Sequence, residues 1–432
     1  MNRTDPLEYL FGLEQFGIKF GLENMRALVE SLGRPERAFR SVHIAGTNGK
    51  GSVTAIIDAA LRASGLRSGR YTSPHLIDLS ERFVVDGKPI EKDVLIATVA
   101  RLRDHIDGML SAGILEAQPT FFEVTTAVAF DFFAASRIDV GVIEVGLGGR
   151  LDATNVITPM ASAITSIAFD HEKYLGKSLA AIAGEKAGII KPDIPVVLAE
   201  LDPEAAGVIE GIARDRGAPI VRASDGVVLE RIPSPPDAMT RIRLQTPRHD
   251  YGELSIALRG DHQVGNALVA IRVLEILGER GVDVPVAAIA EGLARVLWPG
   301  RLEQRRLSPI CELIMDAAHN PAGAARLADY LNAFDQKVPL VFAAMRDKNV
   351  RLMFDALLPS VSAVVMTRAS NARSADPELL AEQAAAAAPG LPVLVRPSLR
   401  EALNAAWTLS PRIVVAGSIF LLGDVMKELE SP

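Results

Sequence analysis

The chain predicts two successive α/β domains built on mostly parallel sheets, and three observations predict them. β-branched runs alternate with helical patterns along most of the length, the signature of a parallel sheet covered on both faces. The alternation breaks once, at Trp298-Pro299-Gly300-Arg301, and then starts afresh. Near the start of the first series, Val42-His43-Ile44-Ala45 feeds a glycine-rich turn that contains a lysine and opens a helix. The expected architecture is a P-loop-type domain over 1–297 with a small β insertion, followed by a Rossmann-like α/β domain over 298–432.

Residues 7 to 33 read as helical, split by Phe16-Gly17-Ile18-Lys19-Phe20-Gly21, with Gly33 as a C-cap. After the turn, Val53, Ile56, Ile57, Ala60 and Leu61 fall on one helical face, and that helix ends near Gly65. Tyr71 closes a short strand; Pro74 then pushes Ser73 toward an extended backbone. Phe83-Val84-Val85-Asp86-Gly87-Lys88 predicts a hairpin with an Asp-Gly turn. Helical patterns cover about 92–107, 122–135 and 179–190. Strands are expected at 140–145, 163–168 and 194–198, and short insertion strands within 225–259. Beyond the break, strands are expected at 312–316, 340–342, 363–366, 392–395 and 413–415. The alanine run at 384–388 is a helix former.

With 432 residues and a hydrophobic fraction of 49%, the chain has ample material for sizeable cores. A net charge of −7 argues against nucleic acid as the main partner. The single cysteine, Cys311, excludes an internal disulfide framework and reads as a small buried hydrophobe beside a strand. Met1-Asn2-Arg3-Thr4-Asp5-Pro6 lacks a signal-peptide core, and no apolar stretch is long enough to span a membrane, so a cytoplasmic protein is expected.

The stretch Gly46-Thr47-Asn48-Gly49-Lys50-Gly51-Ser52 carries the chemistry. Strand, glycine loop and helix N-terminus aim backbone N–H groups at an anion, and Lys50 adds a full charge. The spacing departs from G-x-x-x-x-G-K-[ST]: Ile44 stands where a glycine is wanted, and Gly51 separates Lys50 from Ser52. The reading is an ATP site of a variant class, against an ordinary strand-to-helix turn. ATP calls for Mg²⁺, an oxygen-seeking ion. Glu144, at the end of an apolar strand, is a Walker-B-like acid, and Ser73 a second oxygen that would equally serve as a turn hydroxyl. His171 also follows a strand end but reads equally as a packed residue. The seven histidines show no paired metal spacing. Gly146-Leu147-Gly148-Gly149-Arg150-Leu151 fails the dinucleotide fingerprint at Leu151.

GTNGKGS at 46–52, TSPHL at 72–76, EVGLGGRLDATN at 144–155, SIAFDH at 166–171, GEKAGI at 184–189, PGRLE at 299–303 and DAAHNP at 316–321 together resemble the folylpolyglutamate synthase/dihydrofolate synthase family of the Mur-type ligases. The resemblance implies an ATP-binding central domain and a C-terminal glutamate-ligase domain. The implied reaction adds L-glutamate to dihydropteroate, or to the γ-carboxylate of a folate, through an acyl phosphate. It implies phosphate contacts at Gly49, Lys50, Gly51 and Ser52, and further nucleotide contacts at Asn266, Arg301 and Asp316. Implied magnesium ligands are Ser73, Glu144, His171 and a carbamylated Lys186, which residue types alone would leave as a surface helix lysine. Phe121, Phe122, Glu123 and Val124, with Leu151, Asp152 and Ala153, resemble pterin-binding segments; His319 and Ser418 would lie near the incoming glutamate. Lys50, Lys186 and His171 are the expected catalytic set, and a monomer is expected. The competing reading is a Mur-type ligase with another carboxylate acceptor.

Overall fold

In the computed structural model, which describes residues 5–17, 19, 21–235, 237–309 and 311–430, the strands gather into three sheets. The first contains β1 (Arg40–Ala45), β2 (Ser68–Tyr71), β3 (Phe83–Val85), β4 (Lys88–Pro89), β5 (Val140–Glu144), β6 (Ala161–Ile164), β7 (Val196–Leu198) and β8 (Ile220–Arg222). Their order is β4-β3-β2-β5-β1-β6-β7-β8. All neighbours from β2 to β8 run parallel, while β2-β3-β4 form an antiparallel edge. The Asp86-Gly87 turn of that edge has positive φ at both residues, as a two-residue hairpin turn requires.

β1, β5 and β6 are buried along nearly their whole length, so each reads as a continuous apolar run rather than an alternating one. On one face the helix Lys50–Ala63 packs with the helices His262–Glu279 and Val286–Arg295. On the other, the helices Lys92–Ser111 and Phe121–Ala135 cover Tyr71, Phe83 and Ile143. The insertion is a three-stranded antiparallel sheet of β9 (Val228–Ile232), β10 (Thr240–Gln245) and β11 (Asp250–Ile256).

The third sheet comprises β12 (Glu303–Ser308), β13 (Cys311–Met315), β14 (Val338–Phe342), β15 (Val361–Met366), β16 (Val393–Val395) and β17 (Arg412–Ala416), ordered β12-β13-β17-β14-β15-β16. Only β12 is antiparallel. Sequence reading did not find β12: Glu303-Gln304-Arg305-Arg306 has no apolar alternation, because an edge strand needs no inward face of its own. Cys311, expected to be buried, is only half-buried at the start of β13. The segment 16–21 does separate two helical pieces, Pro6–Phe16 and Glu23–Ser31, but Ile18 and Phe20 lie outside the described residues. Among the described residues, no helix is long and apolar enough to cross a membrane.

Candidate active site

Parallel strands deliver their C-terminal ends to one edge of the sheet, where loops from several parts of the chain meet. The register Ile44↔Glu144 sets the ends of β1 and β5 side by side. Gly46 to Gly49 then turn away from β1, and the helix begins at Lys50. The turn is sewn to the segment after β6. Thr47 N donates to Ser166 O at 2.7 Å, Asn48 N to Ser166 Oγ at 2.9 Å, and Thr165 Oγ1 to Asn48 O at 2.6 Å. Gly49 has φ +88, and a Cβ there would meet Asn266 Oδ1 at 2.5 Å. At Gly51 a Cβ would enter the Trp298 ring at 2.7 Å, so the loop and the inter-sheet connection touch at a residue that must stay small.

Within this loop Lys50 Nζ donates to Gly46 O (3.1 Å) and Thr47 O (3.2 Å), and lies 4.0 Å from Glu144 Oε1. Ser73 N donates to Glu144 Oε2 at 3.3 Å. Burial pushes the Glu144 carboxyl above its usual range, against the pull of Lys50. Lys186 is only 4% exposed, and its Nζ donates to Gly46 O at 2.9 Å. Burial, then the charge of Lys50, lowers its pKa to about 7. His171 adopts a left-handed backbone at φ +50, and burial lowers its pKa to about 4, so its imidazole is neutral at pH 7. Among the described residues, no group of three or more histidine, cysteine, aspartate or glutamate side chains could hold a metal ion.

These groups open onto one cavity of about 640 Å³. Its wall includes Gly49, Lys50, Gly51, Ser52, Ser73, Glu144, His171 and Lys186 from the first sheet's loops. Arg301, His319 and Ser418 enter from the other side. Phe122, Glu123, Leu151, Asp152 and Ala153 form the far end. Four residues singled out from the sequence do not reach the wall. Phe121 lies beneath Arg82, Val124 is wholly inside the core, and Asp316 is buried behind Ala317, accepting from Leu302 N and Ala318 N at 2.9 Å. Asn266 stands just under Gly49. Asp152 accepts from Leu147 N at 2.8 Å and Thr154 Oγ1 at 2.5 Å; Thr154 Oγ1 in turn lies 2.8 Å from His43 Nε2.

The structure adds residues that sequence reading missed. Asn48 and Asn320 exchange side-chain hydrogen bonds at 3.2 and 3.0 Å, joining the phosphate loop to the helix Pro321–Leu331, which Asn320 also caps. Asn320 Nδ2 reaches Asp170 Oδ2 at 3.1 Å, and Lys348 Nζ reaches Asp170 Oδ1 at 2.6 Å. Burial opposes ionisation of Asp170, but the His319 hydrogen bond and nearby His171 and Lys348 hold its carboxyl well below the usual range. Asp170 and Asn320 stand inside quoted motifs, beside His171 and His319. Lys348 has no spacing signal, because its partner is 178 residues away.

A parallel sheet ending in this loop, joined to a second parallel sheet across a nucleotide-sized cavity, defines a Mur-type ligase. Residues 44–274 match the Mur ligase middle domain, and residues 300–419 match the Mur ligase glutamate ligase domain. Dihydrofolate synthase/folylpolyglutamate synthase of Bacillus subtilis is 37% identical over 357 residues, 82% of each chain. Folylpolyglutamate synthase of Lacticaseibacillus casei is 33% identical over 443 residues, covering 99% of each. The crystal structure of Mycobacterium tuberculosis folylpolyglutamate synthase complexed with ADP and AMPPCP superposes with a TM-score of 0.90 at 35% identity, covering 99% of this chain and 100% of that one. The chain belongs to the folylpolyglutamate synthase/dihydrofolate synthase family.

Proposed function

We propose that the protein is an ATP-dependent ligase that joins L-glutamate to dihydropteroate, to the γ-carboxylate of a folate, or to both. The observation that carries this reading is the convergence of Lys50, Glu144 and Lys186 on the turn after β1, facing His319 and Ser418 from the loops of the third sheet across one cavity. Support comes also from the names and lengths of the relatives.

A carboxylate is a poor acyl donor because its leaving group would be oxide. Its oxygen attacks the γ-phosphorus of ATP, the bond to the bridging oxygen breaks, ADP departs, and an acyl phosphate remains. The neutral α-amino group of glutamate then adds to the carbonyl, and inorganic phosphate leaves from the tetrahedral adduct. Two anions must meet in the first step, so the chain's task is mainly to neutralise and position charge. Lys50 and the loop N–H groups hold the phosphates, with Ser52 and Arg301 at the nucleotide and Asn266 and Asp316 supporting the wall from behind. The end at Phe122, with Glu123, Leu151, Asp152 and Ala153, receives the pterin; Phe121, beneath Arg82, and the core residue Val124 support it from behind. His319 and Ser418 receive glutamate.

One buried carboxylate and one hydroxyl suit a magnesium ion that keeps sites for phosphate oxygens and water, while a neutral imidazole is a softer donor than that ion prefers. Ser73, Glu144 and His171 would hold it, and the ion would screen phosphate charge. Lys186, buried and half neutral near pH 7, is suited to add CO₂ and become an anionic carbamate. The connection at 298–302 is the proposed hinge, dividing the chain at 297/298, and the active species is a cytoplasmic monomer.

The deciding assay is ADP release from ATP, measured with and without a pterin carboxylate and L-glutamate. Release should require both; release that ignores them would refute the ligase reading.

A further inference from the structure

The cations that line the cavity are not equivalent. Lys50 is tied to two loop carbonyls and Glu144, Lys186 to Gly46 O, Lys348 to Asp170, and Arg70 to Asp58 at 3.4 Å. Arg82 is different. It is 8% exposed, lines the cavity, and forms no ion pair among the described residues. Its Nε–H donates to His75 Nδ1 at 3.0 Å, and its guanidinium lies 5.2 Å over the Phe121 ring. Those two contacts hold the plane of the group and leave its terminal nitrogens without a hydrogen-bond partner among the described residues. Tyr71, Glu14, Glu144 and Glu81 favour its charge only through space, without a direct ion pair, and the Glu81 oxygens are taken by the backbone N–H groups of Leu76, Ile77 and Asp78. A buried guanidinium held in place but unpaired is costly unless an anion arrives, and its planar fork matches a carboxylate.

The two acceptors differ in the anion they could offer. Dihydropteroate has a single carboxylate, and that group is the one activated. A folate carries two on its glutamate, and only the γ-carboxylate reacts. We propose that Arg82 receives the non-reacting α-carboxylate of a folate acceptor and so separates folates from dihydropteroate. The inference rests on the ligase reading above.

The test is steady-state kinetics on the full chain with dihydropteroate, tetrahydrofolate and tetrahydrofolate blocked as its α-amide. Arg82→Gln keeps the apolar stem over Phe121 and a donor for His75. It should raise KM for tetrahydrofolate about 10- to 100-fold while kcat and the dihydropteroate KM stay within about 3-fold. The wild-type enzyme, where folding is not in question, should lose a similar factor on the α-amide, and the variant should no longer distinguish amide from acid. Equal losses on both acceptors, or a wild-type enzyme indifferent to the amide, would overturn the assignment. So would a wild-type enzyme that uses dihydropteroate and no folate. If neither acceptor is glutamylated by the wild-type enzyme, it is the ligase reading that fails.

Discussion

At the scale of single residues, the two lysines of the loop are held mainly by backbone carbonyls, with Glu144 4.0 Å from Lys50. Lys50 rests on Gly46 O and Thr47 O, so removing it leaves the loop's own hydrogen bonds to residues 165–168 intact. Lys50→Ala should therefore stay folded by circular dichroism and lose at least about 10³-fold in kcat, since phosphate charge goes unneutralised. Near-normal turnover would remove the phosphate assignment. Lys186 makes a second prediction. With its pKa near 7, much of the amine is neutral at physiological pH, and carbamate formation should increase as pH rises through 7. A ¹³C-bicarbonate spectrum should show a carbamate resonance that Lys186→Arg abolishes, together with most activity; its absence from the wild-type protein would sink the idea. The turn after β1 and the helix start at Lys50 were legible because their glycines and apolar periodicity are local. Lys186, by contrast, is unremarkable in sequence: its burial comes from packing against a turn 140 residues away, which no local pattern encodes.

At the scale of elements, the pterin end of the cavity hangs on one helix start. Thr120 Oγ1 accepts from Glu123 N at 3.2 Å while Glu123 Oε2 accepts from Thr120 N at 2.8 Å, a capping box with both arms closed. Thr120→Ala should cost about 1–2 kcal/mol in urea unfolding and raise KM for the pterin acceptor more than for ATP. A variant with unchanged denaturation midpoint would show that the cap is idle. The bounds of β5 and of this helix were readable to within a residue because apolar runs and turn residues coincide, whereas β6, expected at 163–168, lies at Ala161–Ile164. β12 was not readable, since a charged edge strand is specified by its neighbour β13 rather than by its own side chains. The same holds for Asn48 and Asn320: each is an ordinary turn or cap residue until the fold sets them face to face.

For the whole molecule, the two α/β series and the break between them follow from composition and periodicity, but how the halves meet does not. Their junction is partly polar, built from Asp170, Lys348, His319 and the paired asparagines, about which hydrophobic patterning is silent, and partly apolar where Leu76 and Ile77 pack against the core of the second half. Acid sensitivity is also a property of the whole. His43 is fully buried, and burial lowers its pKa from 6.5 to about 3. Between those values the unfolded chain binds more protons, so stability is full above pH 6.5 and falls as pH drops below it. His43 alone accounts for roughly 1.4 kcal/mol per pH unit in that window. Urea midpoints at pH 7 and pH 5 should differ accordingly, and His43→Gln should flatten the difference; an unchanged slope would exclude His43 as the cause.

The reciprocal amide pair between Asn48 and Asn320 makes the turn proposed to grip phosphate part of the seam between the halves. Letting go of spent nucleotide and parting the halves are then a single event, in which large bodies must move through solvent. Friction rather than bond-making would set the ceiling on turnover, and kcat should fall in proportion to added sucrose viscosity.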